Sequence, residues 1–334
     1  MINLILDSQK QAMPDSTLPV TIAAKSGVAL LTAADQAAIH DYALAEKSTA
    51  IRRAYRSDFA AFSAWCAGRT LNPIPAAPET VGPFIADQAN AGFRASTLGR
   101  RVAAIAYAHA LAGFEPPTNS KAIRVVLGGA RRKIGTRPTQ KAPATAERIS
   151  AMLADLPDTL TGKRNYALIA LGFAGAFRRS ELVALEVSDL AFETEGMRVH
   201  IRQSKTDQEG RGQEIAIPRG TKLRPVKAVQ DWMAAAGIKD GPLFRSIDRH
   251  GTIGAALSAQ SVALIVKQHA DKAGLDPREF AGHSLRAGFL TSAAEAGADV
   301  LRMMEVSRHK RVETVQGYVR RANGFKGHAG AEFL

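Results

Sequence analysis

The sequence predicts a mainly α protein of two domains with one small antiparallel β-sheet. Three observations point there. A chain of 334 residues is long enough for two domains, each burying its own core. Most apolar residues recur at helical steps of three and four, and only two short segments alternate as strands do. Between the halves, residues 134–147 mix Pro, Gly and Thr with no apolar period, so they are expected to form a linker. The expected plan is an N-terminal extension over residues 1–45, partly disordered, a helical domain over 46–133, the linker, and a second domain over 148–334 ending in a tail.

The elements follow in order. Residues 1–30 are weakly patterned and contain Pro14 and Pro19; a helical pattern begins at Thr32. Tyr55, Phe59, Phe62 and Trp65 fall at steps of four, three and three, which puts them on one helix face, with Arg52, Arg53 and Arg56 opposite. A second helix opens at Ser96, with Leu98, Val102 and Ile105 inward and Arg100 and Arg101 outward. A third runs from Lys121 through Arg124 to Arg131, Arg132 and Lys133. An arginine-backed apolar ridge is ordinarily a core helix with a solvated side. Three such helices in one small domain exceed that reading, so Arg52, Arg53, Arg56, Arg100, Arg101, Lys121, Arg124, Arg131 and Arg132 are candidate DNA contacts.

Beyond the linker a helix begins at Ala146, and Lys163 to Phe177 reads as a strongly apolar one. Arg198–Arg202 and Gln213–Ile217 are the two strands, with Val199, Ile201, Ile215 and Ile217 alternating inward around a polar turn at Asp207–Gly212. From Ser258 onward the pattern is again helical, broken near Gly274–Pro277 and at Gly297.

Composition narrows the function. The formal net charge is +13, which favours a polyanionic partner, nucleic acid before an anionic membrane surface. Residues 1–46 carry two lysines against five carboxylates, so the excess belongs to the folded body. The single cysteine, Cys66, excludes an internal disulfide and a cysteine-based zinc cluster, and its place beside Trp65 reads as a buried structural thiol. No secretory signal and no run of membrane-spanning length is expected, which points to a cytoplasmic, nucleoid-associated protein.

Chemistry concentrates in the last fifth of the chain. His283 and Arg286 share a helix face at i and i+3, where an arginine fork and an imidazole can grip one phosphate. His309 sits at a helix junction, and Tyr318 lies nine residues on, between Val315 and Val319. Each piece alone is ordinary: most HxxR pairs are surface residues, and most helical tyrosines pack in a core. A metal site at the histidines is disfavoured because Arg286 would repel a cation, so no metal or other cofactor is expected. Upstream stand Arg178, Arg179 and Glu181, followed by Ser188-Asp189-Leu190, and Lys205 lies in Gln203-Ser204-Lys205-Thr206-Asp207 between the two strands.

As an ordered set, Arg178-Arg179-Ser180-Glu181-Leu182, then His283-x-x-Arg286, then His309 with Tyr318 nine residues on, resembles the tyrosine recombinase (phage integrase) family over roughly residues 46–322. Ala176-Phe177 departs from the more common Gly-Leu before the first arginine. The resemblance implies a helical core-binding domain joined to an α/β catalytic domain. It also implies that Arg178, Arg286 and His309 surround the scissile phosphate, that Glu181 supports Arg178 from behind, and that Lys205 on its hairpin protonates the departing 5′-oxygen. A phenol ionises only near pH 10, about three units above neutrality, so Tyr318 needs a base, for which His283 is the candidate.

The implied activity is site-specific cleavage and rejoining of DNA through a 3′-phosphotyrosine link, with neither metal nor ATP. The implied partner is double-stranded DNA bound by a homo-tetramer on two sites, with accessory DNA-bending or directionality factors possible. The tail from Asn323 to Leu334 is expected to dock on a neighbouring protomer. Two alternatives stay open: a type IB topoisomerase that relaxes DNA without exchange, and a non-catalytic DNA-binding regulator on the same scaffold.

Overall fold

The computed structural model describes residues 46–136, 141–202 and 212–322, with a few isolated positions outside them. The extension before residue 46 and the tail after 322 fall almost entirely outside the described residues, as does Lys205. The chain divides into two compact units, Met1–Pro138 and Thr139–Leu334.

The first unit is helical throughout its described part: α1 (Thr49–Ala67), α2 (Pro78–Asn90), α3 (Ala95–Leu111) and α4 (Lys121–Ile134). Ser48 and Ser120 cap α1 and α4 through their side chains, satisfying amides that each first turn leaves without a partner. Phe62, Cys66, Val81, Phe84, Ile85, Ile105 and Ile123 make the core. Phe62 meets Phe84 edge-on with ring centroids 5.1 Å apart. His109 is fully buried and takes both hydrogen bonds of its ring locally, at 2.8 Å from the Ile105 carbonyl and 2.9 Å from the Ala76 amide. It therefore ties α3 to the loop before α2.

The arginines of this unit divide. Arg53, Arg56, Lys121, Arg124, Arg131 and Arg132 are exposed, and Arg52 is half-buried. Arg100 faces outward as expected, whereas the outward placement expected of Arg101 needs correction. Arg100 holds the buried Asp58 carboxylate through Nε at 2.5 Å and Nη2 at 3.1 Å. Arg101 is folded inward, its side chain 12% exposed and its guanidinium 4.1 Å from the centre of the Phe93 ring. A buried carboxylate one helix away draws Arg101 in and bends the tip of Arg100 onto it, while the Arg100 side chain stays 51% exposed, because a lone charge at Asp58 would cost several kcal/mol.

The second unit begins with α5 (Ala146–Ala154) and α6 (Leu160–Ala174); α6 is buried along most of its length. After α7 (Arg179–Val183) comes a three-stranded antiparallel sheet in the order β1 (Leu190–Phe192), β2 (Gly196–Ile201), β3 (Gln213–Pro218). Met197 faces Ile217 and Val199 faces Ile215 across the β2–β3 pair, and all four are buried. α8 (Pro225–Ala236) packs on α6, with Trp232 donating to the Leu243 carbonyl at 2.8 Å. A second small sheet, β4 (Arg245–Ile247) with β5 (Ile253–Ala256), was not foreseen. Four helices close the unit: α9 (Ala259–Lys272), α10 (Ser284–Glu295), α11 (Val300–Ser307) and α12 (Val312–Ala322).

Part of the segment expected as linker is held against this unit. The Ala142 and Ala144 amides donate to the carbonyls of Glu279 and Ser284 at 2.8 and 3.0 Å, and the Ala146 amide donates to the Ser292 hydroxyl at 2.8 Å. Gly288 makes this approach possible: a Cβ there would stand 1.8 Å from the Ala144 carbonyl oxygen. Among the described residues no helix is long and apolar enough to cross a membrane.

Candidate active site

Four segments of the second unit converge: the α6–α7 turn, the start of α10, the loop after α11, and α12. The turn is built by the end of α6. The Ala176 amide bonds the Phe173 carbonyl at 2.9 Å and the Phe177 amide bonds that of Gly172 at 3.0 Å, the paired bonds of a Schellman motif. Ala176 takes the left-handed position of that motif with φ 45°, where glycine would be unstrained and alanine costs about 1 kcal/mol. The turn delivers Arg178 to the start of α7 with its side chain 18% exposed.

Glu181 sits one turn into α7 with its carboxylate 2% exposed. It accepts the Arg178 backbone amide at 2.9 Å and the Arg178 guanidinium at 2.5 Å. It also accepts the guanidinium of Arg308 at 2.8 Å. Burial pushes its proton affinity up, but Arg308 and Arg178 outweigh burial and hold the group below its ordinary range. Arg179, by contrast, is exposed and lies against Gly282, so Arg178 is the arginine turned into the cluster.

At α10, His283 is the N-cap residue with an exposed side chain, and Arg286 is buried one turn later, 1% exposed. Arg286 Nη1 donates to the Ala176 carbonyl at 2.8 Å. Its Nη2 stands 3.3 Å from Nδ1 and 3.4 Å from Nε2 of His309. The His309 Nδ1 is also 2.9 Å from the hydroxyl of Ser307, which is fully buried.

Tyr318 lies on α12, half-buried against the cluster formed by Leu290, Ala294, Met303 and Val315. It is near enough to Arg286 to favour that residue's cationic form. The Arg321 guanidinium lies 5.4 Å from the centre of its ring.

The electrostatics of the cluster are those of crowded positive charge. Burial, then Arg286 and Arg178, pulls the His309 imidazole down to about 4, so the ring is neutral at pH 7. His283, although open to solvent on one side, is lowered by desolvation against the protein and by the same two arginines. Arg286 itself is pushed down to about 9 by burial, Arg178 and Arg308, and remains a cation at neutrality. Of the site residues expected from sequence, Arg178, Glu181, His283, Arg286 and His309 are together, with Tyr318 beside them; Lys205 lies outside the described residues.

Arg308 was missed, and so was Ser307. Sequence presented Arg308 as the first of four bases, Arg308-His309-Lys310-Arg311, a run that reads as solvated charge. The available signal was a helix ending at Ser307 with no glycine to turn the chain, which leaves Arg308 to take the left-handed position, φ 58°. Among the described residues no group of three His, Cys, Asp or Glu side chains could hold a metal ion.

The sequence model of the phage integrase family matches residues 144–324, the span that carries all four segments. An integrase/recombinase XerD homologue of Selenomonas ruminantium is 43% identical over 285 residues, 83% of this chain and 83% of its own. The recombinase Cre of Escherichia phage P1 is 23% identical over 287 residues, 80% of this chain and 82% of its own. Among solved structures, the XerH site-specific recombinase bound to a palindromic difH substrate after cleavage aligns with a TM-score of 0.56 at 14% identity, covering 75% of this chain and 70% of that one. A lambda integrase dimer bound to a COC′ core site aligns with a TM-score of 0.57 at 15% identity, covering 86% of this chain and 77% of that one. The structural likenesses carry the fold, and the sequence matches carry the family: this chain is a tyrosine recombinase, a member of the phage integrase family.

Proposed function

We propose that the cluster binds one phosphate of a DNA strand and that Tyr318 attacks its phosphorus, displacing the 5′-oxygen and leaving a 3′-phosphotyrosine link. One observation carries this reading. His283, Arg286 and His309 are each disfavoured as cations by desolvation and by arginines close by, and an anion placed among them relieves all three at once. The cluster therefore carries an excess of positive charge, which a phosphodiester complements.

Roles follow from position. Arg178 and Arg286 hold the non-bridging oxygens, and the neutral His309 donates a hydrogen bond that strengthens as phosphorus becomes five-coordinate. His283, exposed at the head of α10, takes the phenol proton. Lys205 gives a proton to the departing 5′-oxygen. The ester is conserved in the protein link, so a second 5′-hydroxyl can reverse the step and reseal the strand without ATP.

Both units grip duplex DNA, with Arg53, Arg56, Lys121, Arg124, Arg131 and Arg132 reaching phosphates in the first, contacts that position the protein on the duplex without reading its sequence. Exchange between two duplexes requires four cuts, hence four protomers on two sites.

The test is a supercoiled plasmid assay with genomic fragments as competitor, comparing wild type with Tyr318→Phe. A covalent adduct that disappears in the phenylalanine variant supports the reading. Binding without any adduct would reduce the protein to a DNA binder, and relaxation of arbitrary plasmids would assign it topoisomerase activity.

A further inference from the structure

Arg308 is a buried cation that reaches four acceptors through its two terminal nitrogens, and none of the proposed catalytic steps uses it. Its side chain is 2% exposed and crosses from the loop after α11 to the α6–α7 turn. There it donates to the carbonyls of Gly175 at 2.9 Å and Ala176 at 3.2 Å and to the Glu181 carboxylate at 2.8 Å, and it also donates to the Val306 carbonyl of its own segment at 2.6 Å. Its guanidinium also lies 5.2 Å from the centre of the Phe177 ring.

Two of these acceptors are shared with groups that face the phosphate. The Glu181 oxygen that Arg308 holds also accepts the Arg178 amide, while its other oxygen holds the Arg178 guanidinium. The Ala176 carbonyl that Arg308 holds also accepts Arg286. That carbonyl belongs to a residue in the left-handed region, and Arg308 is in that region too, so both backbones are held in place by surroundings and not by intrinsic preference. The next residue after Arg308 is His309.

We propose that Arg308 is a positioning residue of the recombinase site, setting Arg178 through the Glu181 carboxylate and Arg286 through the Ala176 carbonyl. One buried guanidinium thereby fixes the spacing of two phosphate-binding arginines from behind, and its own backbone fixes the histidine beside them. A neutral side chain of similar length would fill the space but leave Glu181 answering to Arg178 alone and Ala176 to Arg286 alone. A lysine would keep the ion pair with Glu181 and lose the planar fork that reaches Ala176 at the same time.

This inference rests on the phosphotyrosine reading, and the experiment separates the two. The full chain is first trapped on genomic fragments, and the captured sequence is built into a nicked duplex that holds the covalent product. Wild type and Tyr318→Phe establish the reaction; absence of a Tyr318-dependent adduct would overturn both readings. Arg308→Met and Arg308→Lys are then compared at saturating DNA, well below the melting temperature of each.

The expected result is a covalent step slowed about 100-fold in Arg308→Met and about 10-fold in Arg308→Lys, with affinity for the same duplex within about twofold of wild type. Should Arg308→Met fail to fold, Arg308→Lys carries the test, since it preserves the buried ion pair. A folded variant that forms adduct at the wild-type rate overturns the proposal. So does one whose rate and DNA affinity fall together, because that marks general damage to the unit.

Discussion

Acidification should destabilise this protein through His309 in a defined window. An unfolded histidine titrates near 6.5, whereas burial, Arg286 and Arg178 hold His309 at about 4 in the native state. Between those values the unfolded chain binds a proton that the folded one refuses, so stability falls as pH falls. The contribution is fully present above 6.5 and gone by about 4. Its slope is about 1.4 kcal/mol per pH unit, and over the window it amounts to about 3 kcal/mol.

Other groups also gain protons on acidification, so the difference between two proteins is the measurement. Urea melts of wild type and His309→Asn would be taken at intervals from pH 7 to 4.5. The asparagine side chain can keep the hydrogen bond with Ser307 but has no proton to gain. The wild type should lose more stability than the variant on going from pH 6.5 to 4.5, by about 2 to 3 kcal/mol. Parallel profiles would refute the placement of a neutral imidazole among arginines. Phosphate binding should raise the affinity of His309 for a proton, so DNA binding near pH 5 should take up protons, which calorimetry in two buffers of different ionisation enthalpy detects.

Three further outcomes are expected. Gly288→Ala should destabilise the second unit by about 3 kcal/mol, because the new methyl meets a backbone oxygen that cannot rotate away; the check is a lowered thermal midpoint for the full chain. Asp58→Ala leaves Arg100 and the inward-folded Arg101 without their carboxylate and should cost about 3 kcal/mol by denaturant titration, while Arg53→Ala should leave stability within about 0.5 kcal/mol. Replacing Arg124 or Arg132 with alanine should weaken DNA binding across sequences and reduce the slope of log affinity against log salt by about 1 for each phosphate no longer neutralised, measured by fluorescence anisotropy.

The parts of the fold that rest on local periodicity were legible. The step pattern of Phe59, Phe62 and Trp65 and the alternation of Val199 with Ile201 report directly on which side is buried. The set Arg178, His283, Arg286, His309 and Tyr318 stood out for a different reason: it is the inventory of side chains expected of phosphate chemistry, in the order of the family it resembles. What escaped depends on partners far along the chain. Asp58 lies 42 residues from Arg100, and Glu181 lies 127 from Arg308, so no window of sequence shows that these arginines have carboxylate partners, or that Arg308 turns inward. The hairpin of β4 and β5 escaped because its strands are three and four residues long and only partly buried, too short for alternation to register.

The hydrogen bonds from Ala142, Ala144 and Ala146 to the neighbourhood of α10 bear on where the catalytic unit can be cut free. A fragment starting at the first turn of α5 would keep every helix and strand of that unit and every side chain of the site. It would nevertheless leave the Glu279 and Ser284 carbonyls without their partners and open the slot over Gly288, on the helix that carries Arg286. The smallest autonomous piece therefore starts no later than Lys141, whose ammonium is itself anchored on the Arg278 carbonyl. Expression boundaries, protease-resistant cores and domain grafts made with this recombinase should all respect that short extended lead.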